Sequence, residues 1–151
     1  MENETTETTD VENSRITELR TYLFNVINTL TTDRNYQINA NMLSDKIDDY
    51  SLDKIPTNQV VTPWILGGGI YKDVFDFRGR KNFSKDAKVN LDEMEFFEKF
   101  ENLIESNNRN KTLPNIKGIE KIECLNPGTM QLNNDGKSAE FDVQIQITYR
   151  K

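Results

Sequence analysis

Two apolar patterns alternate along this chain, one with the period of a helix and one with the period of a strand. Ile16, Leu19, Leu23, Val26, Ile27 and Leu30 recur at helical spacing, while Arg15, Glu18, Arg20 and Asn25 fall largely off the stripe. This predicts a first helix over residues 10–33, with Thr9 and Glu12 at capping-box spacing. A second apolar stripe, Leu91, Met94, Phe97, Phe100, Leu103 and Ile104, predicts a helix over 90–108. Asn90 is its expected N-cap, and Asp92 and Glu93 complement the positive end of the helix. The clearest pattern is near the end of the chain. Ala139, Phe141, Val143, Ile145, Ile147 and Tyr149 alternate with Glu140, Asp142, Gln144, Gln146 and Thr148. Strict period two means one face on a core and the other in water or against a polar partner.

Between these landmarks, residues 59–66 and 70–78 are rich in β-formers and are separated by Gly67, Gly68 and Gly69. The three glycines suit a hairpin turn that needs positive φ. A phosphate-binding loop would require Gly-Lys-Ser or Gly-Lys-Thr running into a helix, whereas here Ile70-Tyr71-Lys72 runs into a strand. Pro63 marks an edge or a bulge, because it cannot donate to a ladder. Residues 118–125 form a further expected strand, Pro127-Gly128 a turn or bulge, and Asn133 to Gly136 a hairpin signal. Residues 34–57 read as polar and irregular, with a short strand at Tyr36–Ile38 and a long loop from Asp45 to Pro56. The acids Asp45, Asp48, Asp49 and Asp53 lack the alternation, central Gly and closing Glu of a calcium loop, so a solvated loop is expected. The sum is an α+β arrangement: an antiparallel or mixed sheet of about four to five strands covered by two main helices. Residues 1–9 read as a flexible acidic tail and residues 10–151 as one domain.

Composition narrows the chemistry. The 151 residues are 35% hydrophobic and 29% charged, with a net charge of -6. That charge disfavours nucleic-acid binding through bulk electrostatics. There is no histidine and one cysteine, Cys124. Serine–histidine and cysteine–histidine catalysis, a Cys/His zinc site and an internal disulfide all lack their residues. No catalytic, cofactor or metal residue is assigned. Carboxylate pairs such as Asp73 with Asp76, or Glu93 with Glu95, would be the material for a small acid–base enzyme, but such pairs arise by chance in a chain with 25 acids. No apolar run reaches the roughly 20 residues of a membrane span, and the acidic start at Met1–Asp10 is the opposite of a signal peptide. Arg78, Arg80, Lys81, Lys85 and Lys88 form the main basic cluster, interleaved with Phe77 and Phe83. A strand end or subunit contact accounts for it better than stacking of single-stranded nucleic acid. Trp64, the turn at Gly67, Gly68 and Gly69, and the segment Arg78, Arg80, Lys81 are the expected subunit-contact residues, since Trp and Arg anchor interfaces. Trp64 reads equally well as core.

Four features stand together over residues 50–151: Ile55-Pro56-Thr57 leading into the hairpin with Phe75, Phe77 and Arg78; Phe96-Phe97-Glu98-Lys99-Phe100, with Asn107 and Asn108 ahead of Leu113-Pro114; Lys121-Ile122-Glu123; and Ala139-Glu140-Phe141-Asp142-Val143-Gln144-Ile145 before a closing Tyr149. In these features the chain resembles a family of phage minor capsid proteins, the tail-terminator or tail-completion subunits of long-tailed phages. The family helix carries a central Trp where this chain has Asn102-Leu103-Ile104. The resemblance implies a non-enzymatic structural protein. It would form a homo-oligomeric ring, often hexameric, that caps the head-proximal end of the tail tube. Its partners would be itself, the tail tube protein, and a sheath or neck protein. Its location would be the virion or a headless tail-like particle, assembled in the bacterial cytoplasm. A head–tail adaptor or head-closure protein is the neighbouring alternative.

Overall fold

The computed structural model describes residues 14–32, 35–84, 86–126, 129–133 and 136–151. The expected tail at 1–9, the Thr9–Glu12 capping box, Lys85 and the Pro127-Gly128 turn lie outside the described residues. The elements in chain order are α1 (Arg15–Leu30), β1 (Ile38–Ala40), β2 (Tyr50–Ile55), β3 (Val60–Pro63), β4 (Gly69–Asn82), α2 (Ala87–Arg109), β5 (Ile119–Cys124), β6 (Thr129–Leu132) and β7 (Ser138–Arg150).

The α+β class stands: the described residues form two helices and a mixed sheet, and that sheet has seven strands rather than four to five. Its path is β1-β2-β4-β7-β5, with β3 also on β4 and β6 also on β7. Two long antiparallel strands, β4 and β7, pair from Ile70↔Arg150 to Asn82↔Ser138 and form the spine. Each carries two short strands end to end along its outer edge. β3 and then β2 lie along β4, and β5 and then β6 lie along β7. Among the described residues only β1–β2 is parallel.

The extra strands come from segments whose local signal is weak. The expected loop at Asp45–Pro56 contains β2, which pairs with β4 over its whole length. Tyr50 and Leu52 point into the core while Ser51 and Asp53 take the other face, a short alternation hidden among acids. Likewise β6, four exposed residues, exists by pairing with β7.

Helix starts also move. α1 begins at Arg15, capped by Ser14, whose hydroxyl accepts from Thr17 N at 3.3 Å. α2 begins at Ala87 with Asp86 as cap, accepting from Lys88 N at 3.0 Å. Asn90, the expected cap, instead fastens the preceding loop, donating to Ser84 O at 2.7 Å and accepting from Ser84 N at 3.1 Å.

The core forms between the helices and one face of the sheet. Leu19, Leu23 and Ile27 of α1 and Phe100 and Ile104 of α2 are fully buried against Phe75, Phe77, Val143, Ile145 and Ile147. Aromatic rings stack through it: Tyr50 on Phe77 at 5.3 Å, Phe77 on Phe100 at 5.2 Å and Phe97 on Phe141 at 4.3 Å. Gly79 permits this, since a Cβ there would lie 2.9 Å from the Tyr50 ring. The expected apolar face of α2 departs at its N-terminal end, where Leu91 and Met94 are exposed.

Candidate subunit-contact surface

The β3–β4 hairpin carries the most exposed apolar side chains among the described residues. Trp64 is 43% exposed, and Ile65 and Leu66 are 102% and 99% exposed. Val60 and Val61 on β3 are exposed as well. The expected strand to residue 66 stops at Pro63, and Trp64–Gly68 form the tip. Within it, Trp64 N donates to Gly68 O at 3.1 Å and Gly67 N to Trp64 O at 3.2 Å. Gly67, Gly68 and Gly69 have φ of 98°, 74° and 152°, as the turn reading requires. Gly69 and Lys151 exchange backbone hydrogen bonds of 2.9 and 3.0 Å, which anchors the tip to the end of the spine. At Gly68 a Cβ would lie 2.3 Å from Lys151 O, so the close approach also demands glycine. The tip is therefore a held turn that presents two aliphatic side chains to solvent. Such a cluster marks a contact surface more than a lone surface leucine does.

The basic segment has a different environment. Arg78 donates to Asp53 at 2.8 Å and lies 3.6 Å from Glu140. Arg80 Nε donates to Ser44 O at 2.7 Å. Lys81 is buried. Its ammonium donates to Tyr50 Oη at 2.7 Å and Asp48 Oδ1 at 3.1 Å, and it sits 4.1 Å from the centre of the Phe96 ring. All three cations are engaged within the chain, and strand alternation separates Arg78 and Arg80 from Lys81. The structure thus does not bring the glycine turn and the basic segment together: they occupy opposite ends of β4. The loop acids are engaged too, with Asp49 accepting from Gln37 N at 3.0 Å and Ser44 Oγ at 2.7 Å. No cluster of three potential metal ligands occurs among the described residues. No helix among them is long and apolar enough to cross a membrane.

The carboxylate pairs weighed as acid–base candidates are split by the fold. Asp73 faces the core, 1% exposed, and accepts from Arg15 Nε at 2.6 Å, Gln59 Nε2 at 2.5 Å and Tyr149 Oη at 3.1 Å. Burial raises its pKa, but the Arg15 and Gln59 hydrogen bonds and the Arg15 charge outweigh burial and hold it below the usual range. Asp76 lies on the opposite, uncovered face. Burial, a hydrogen bond with Asp142 and the repulsion of that carboxylate push it up to about 7, with Arg78 acting the other way. Its Oδ1 and the Nε of Arg78 are buried polar atoms without hydrogen-bond partners. Glu93 is raised by burial, offset in part by Lys81. Glu95 is exposed and paired with Lys99 at 2.9 Å.

The region expected to make contacts, Trp64–Gly69, includes Ile65 and Leu66, but an apolar run beside a strand reads as more strand, so their full exposure is not legible in the residues themselves. No protein-family model matches this chain, and no curated protein sequence matches it.

Proposed function

We propose that this chain is a structural assembly subunit: a member of a homo-oligomeric ring, hexameric in the simplest case, that caps the head-proximal end of a phage tail tube or a headless tail-like particle. The observation that carries the assembly half of this reading is the β3–β4 tip, a constrained turn with Ile65 and Leu66 wholly exposed. A subunit that works by geometry needs such fixed, unpaired apolar surface and needs no cleft chemistry. The tail position is supported by the resemblance in the Phe96–Phe100 helix and the alternating closing strand, both of which are core elements here. In this reading closed rotational symmetry uses up the lateral surfaces and leaves two different axial faces. One face mimics a tube subunit, and the other meets the neck or sheath.

The reading expects a tail tube gene in the same genome, and the test is to polymerise its product with and without this chain and to image the products. The reading expects tubes arrested in growth with a disc of this protein at one end. Tubes of unchanged length with no bound disc would overturn the cap assignment.

A further inference from the structure

A second surface lies across the molecule from β3, at the outer edge of β5. A groove of about 440 Å³ runs between β5 and α2, lined in part by Glu101, Glu105, Asn108, Ile122, Cys124 and Leu125. Its wall is a sheet edge. Leu125 N donates inward to Gln144 O at 2.9 Å, so by strand alternation Cys124 and Ile122 turn their backbone groups outward. Asn108 reaches from α2 and takes the Ile122 N–H at 3.0 Å, which closes the edge at that residue. The outward N–H and C=O of Cys124 face the groove beyond that closure. On the helix side the lining is acidic. Glu101 and Glu105 stand one turn apart on α2, with Glu105 also paired to Arg109 at 2.9 Å. Burial pushes the Cys124 thiol up to about 12, and the charges of Glu101, Glu105 and Glu123 act in the same direction.

We propose that this groove is a docking site for an extended, lysine- or arginine-bearing segment of a partner protein, added as an outer strand beside Cys124. The backbone pair of Cys124 supplies the strand hydrogen bonds. Side chains on the helix side pass over Ile122 and Cys124, so a long basic side chain lays its stem there and its charge against Glu101 and Glu105. Side chains on the other face meet Leu125, which is 40% exposed, and favour an apolar residue. The chemistry selects an alternating basic–apolar strand and rejects an acidic one. This surface is separate from the β3–β4 tip and does not depend on ring formation.

The probe is a short fluorescein-labelled peptide of alternating lysine and valine, titrated with the full chain. Its counterpart has glutamate for lysine. The expected result is saturable binding of the basic peptide alone, weakened about tenfold by the double substitution Glu101→Gln/Glu105→Gln and by added salt. Glu95→Gln, on an exposed part of the same helix, should leave it unchanged. Amide exchange on the bound protein should slow at Cys124. Cys124→Pro removes an outward N–H and no ladder bond to β7, and should weaken binding comparably. Equal binding of the acidic peptide, undiminished binding by the glutamine double variant, or protection at another edge would each overturn the proposal. A protein that stays monomeric yet binds the basic peptide would support the groove and count against the ring.

Discussion

Asp73 and Asp76 are three residues apart on β4, face opposite sides of the sheet and are shifted in opposite directions. For Asp76 the folded pKa, about 7, lies above the unfolded value, so between pH 4 and 7 the native state holds a proton that the unfolded chain has lost. Stability conferred by this group therefore falls as pH rises through that window. Asp76→Asn removes the fall. The variant should match the wild type near pH 4 and exceed it at pH 8 by about 1 kcal/mol after solvent screening, or roughly 2–4 °C in Tm, read by thermal melts at both pH values. Asp73 is the reverse case. Its contribution is full above the ordinary carboxylate pKa of the unfolded chain and is lost as pH falls through its lower folded value. Arg15→Ala leaves the Asp73 carboxylate buried without its cation, and should cost about 3 kcal/mol near pH 7 in a denaturant titration. Gly68→Ala places a Cβ against Lys151 O at a φ of 74°, and should cost about 1–2 kcal/mol in the same assay.

What was legible in the chain depends on how far each element's signal is local. β7 alternates over its whole length because one face lies on the core and the other is uncovered, so its residues alone announce it. The stripes of α1 and α2 are similarly local. β2 is not, since its Tyr50 and Leu52 acquire meaning only when Phe77 and Gly79 of β4 lie opposite them. The same holds for β6 and for the exposure of Leu91 and Met94, which no helical periodicity distinguishes from buried neighbours. The candidate contact surface divides in the same way. Trp64 and the glycines mark the tip locally, whereas the pairing of Arg78, Arg80 and Lys81 with acids from other elements is tertiary. If β2 is a structural strand and not a loop, Leu52→Ala should cost about 2–5 kcal/mol by chemical denaturation, as for other buried leucines. A solvated loop would tolerate it within about 0.5 kcal/mol.

Taken as a molecule, the chain closes both ends of β4 with half-buried ion pairs, Arg15–Asp73 at one and Lys81–Asp48 at the other. Its strongest apolar display lies outside that core, on the β3–β4 tip beside the Gly69–Lys151 pair. No packing among the described residues requires Ile65 and Leu66 to be apolar, and the proposed intermolecular contact would use them. The direct test is the solution mass of the wild type and of the double variant Ile65→Ser/Leu66→Ser, by size-exclusion chromatography with light scattering at high concentration. The account predicts a defined oligomer for the wild type, near six times the 17.6 kDa chain mass, and a folded monomer of unchanged Tm for the variant. A wild type that remains monomeric, or a variant that assembles as the wild type does, would contradict it.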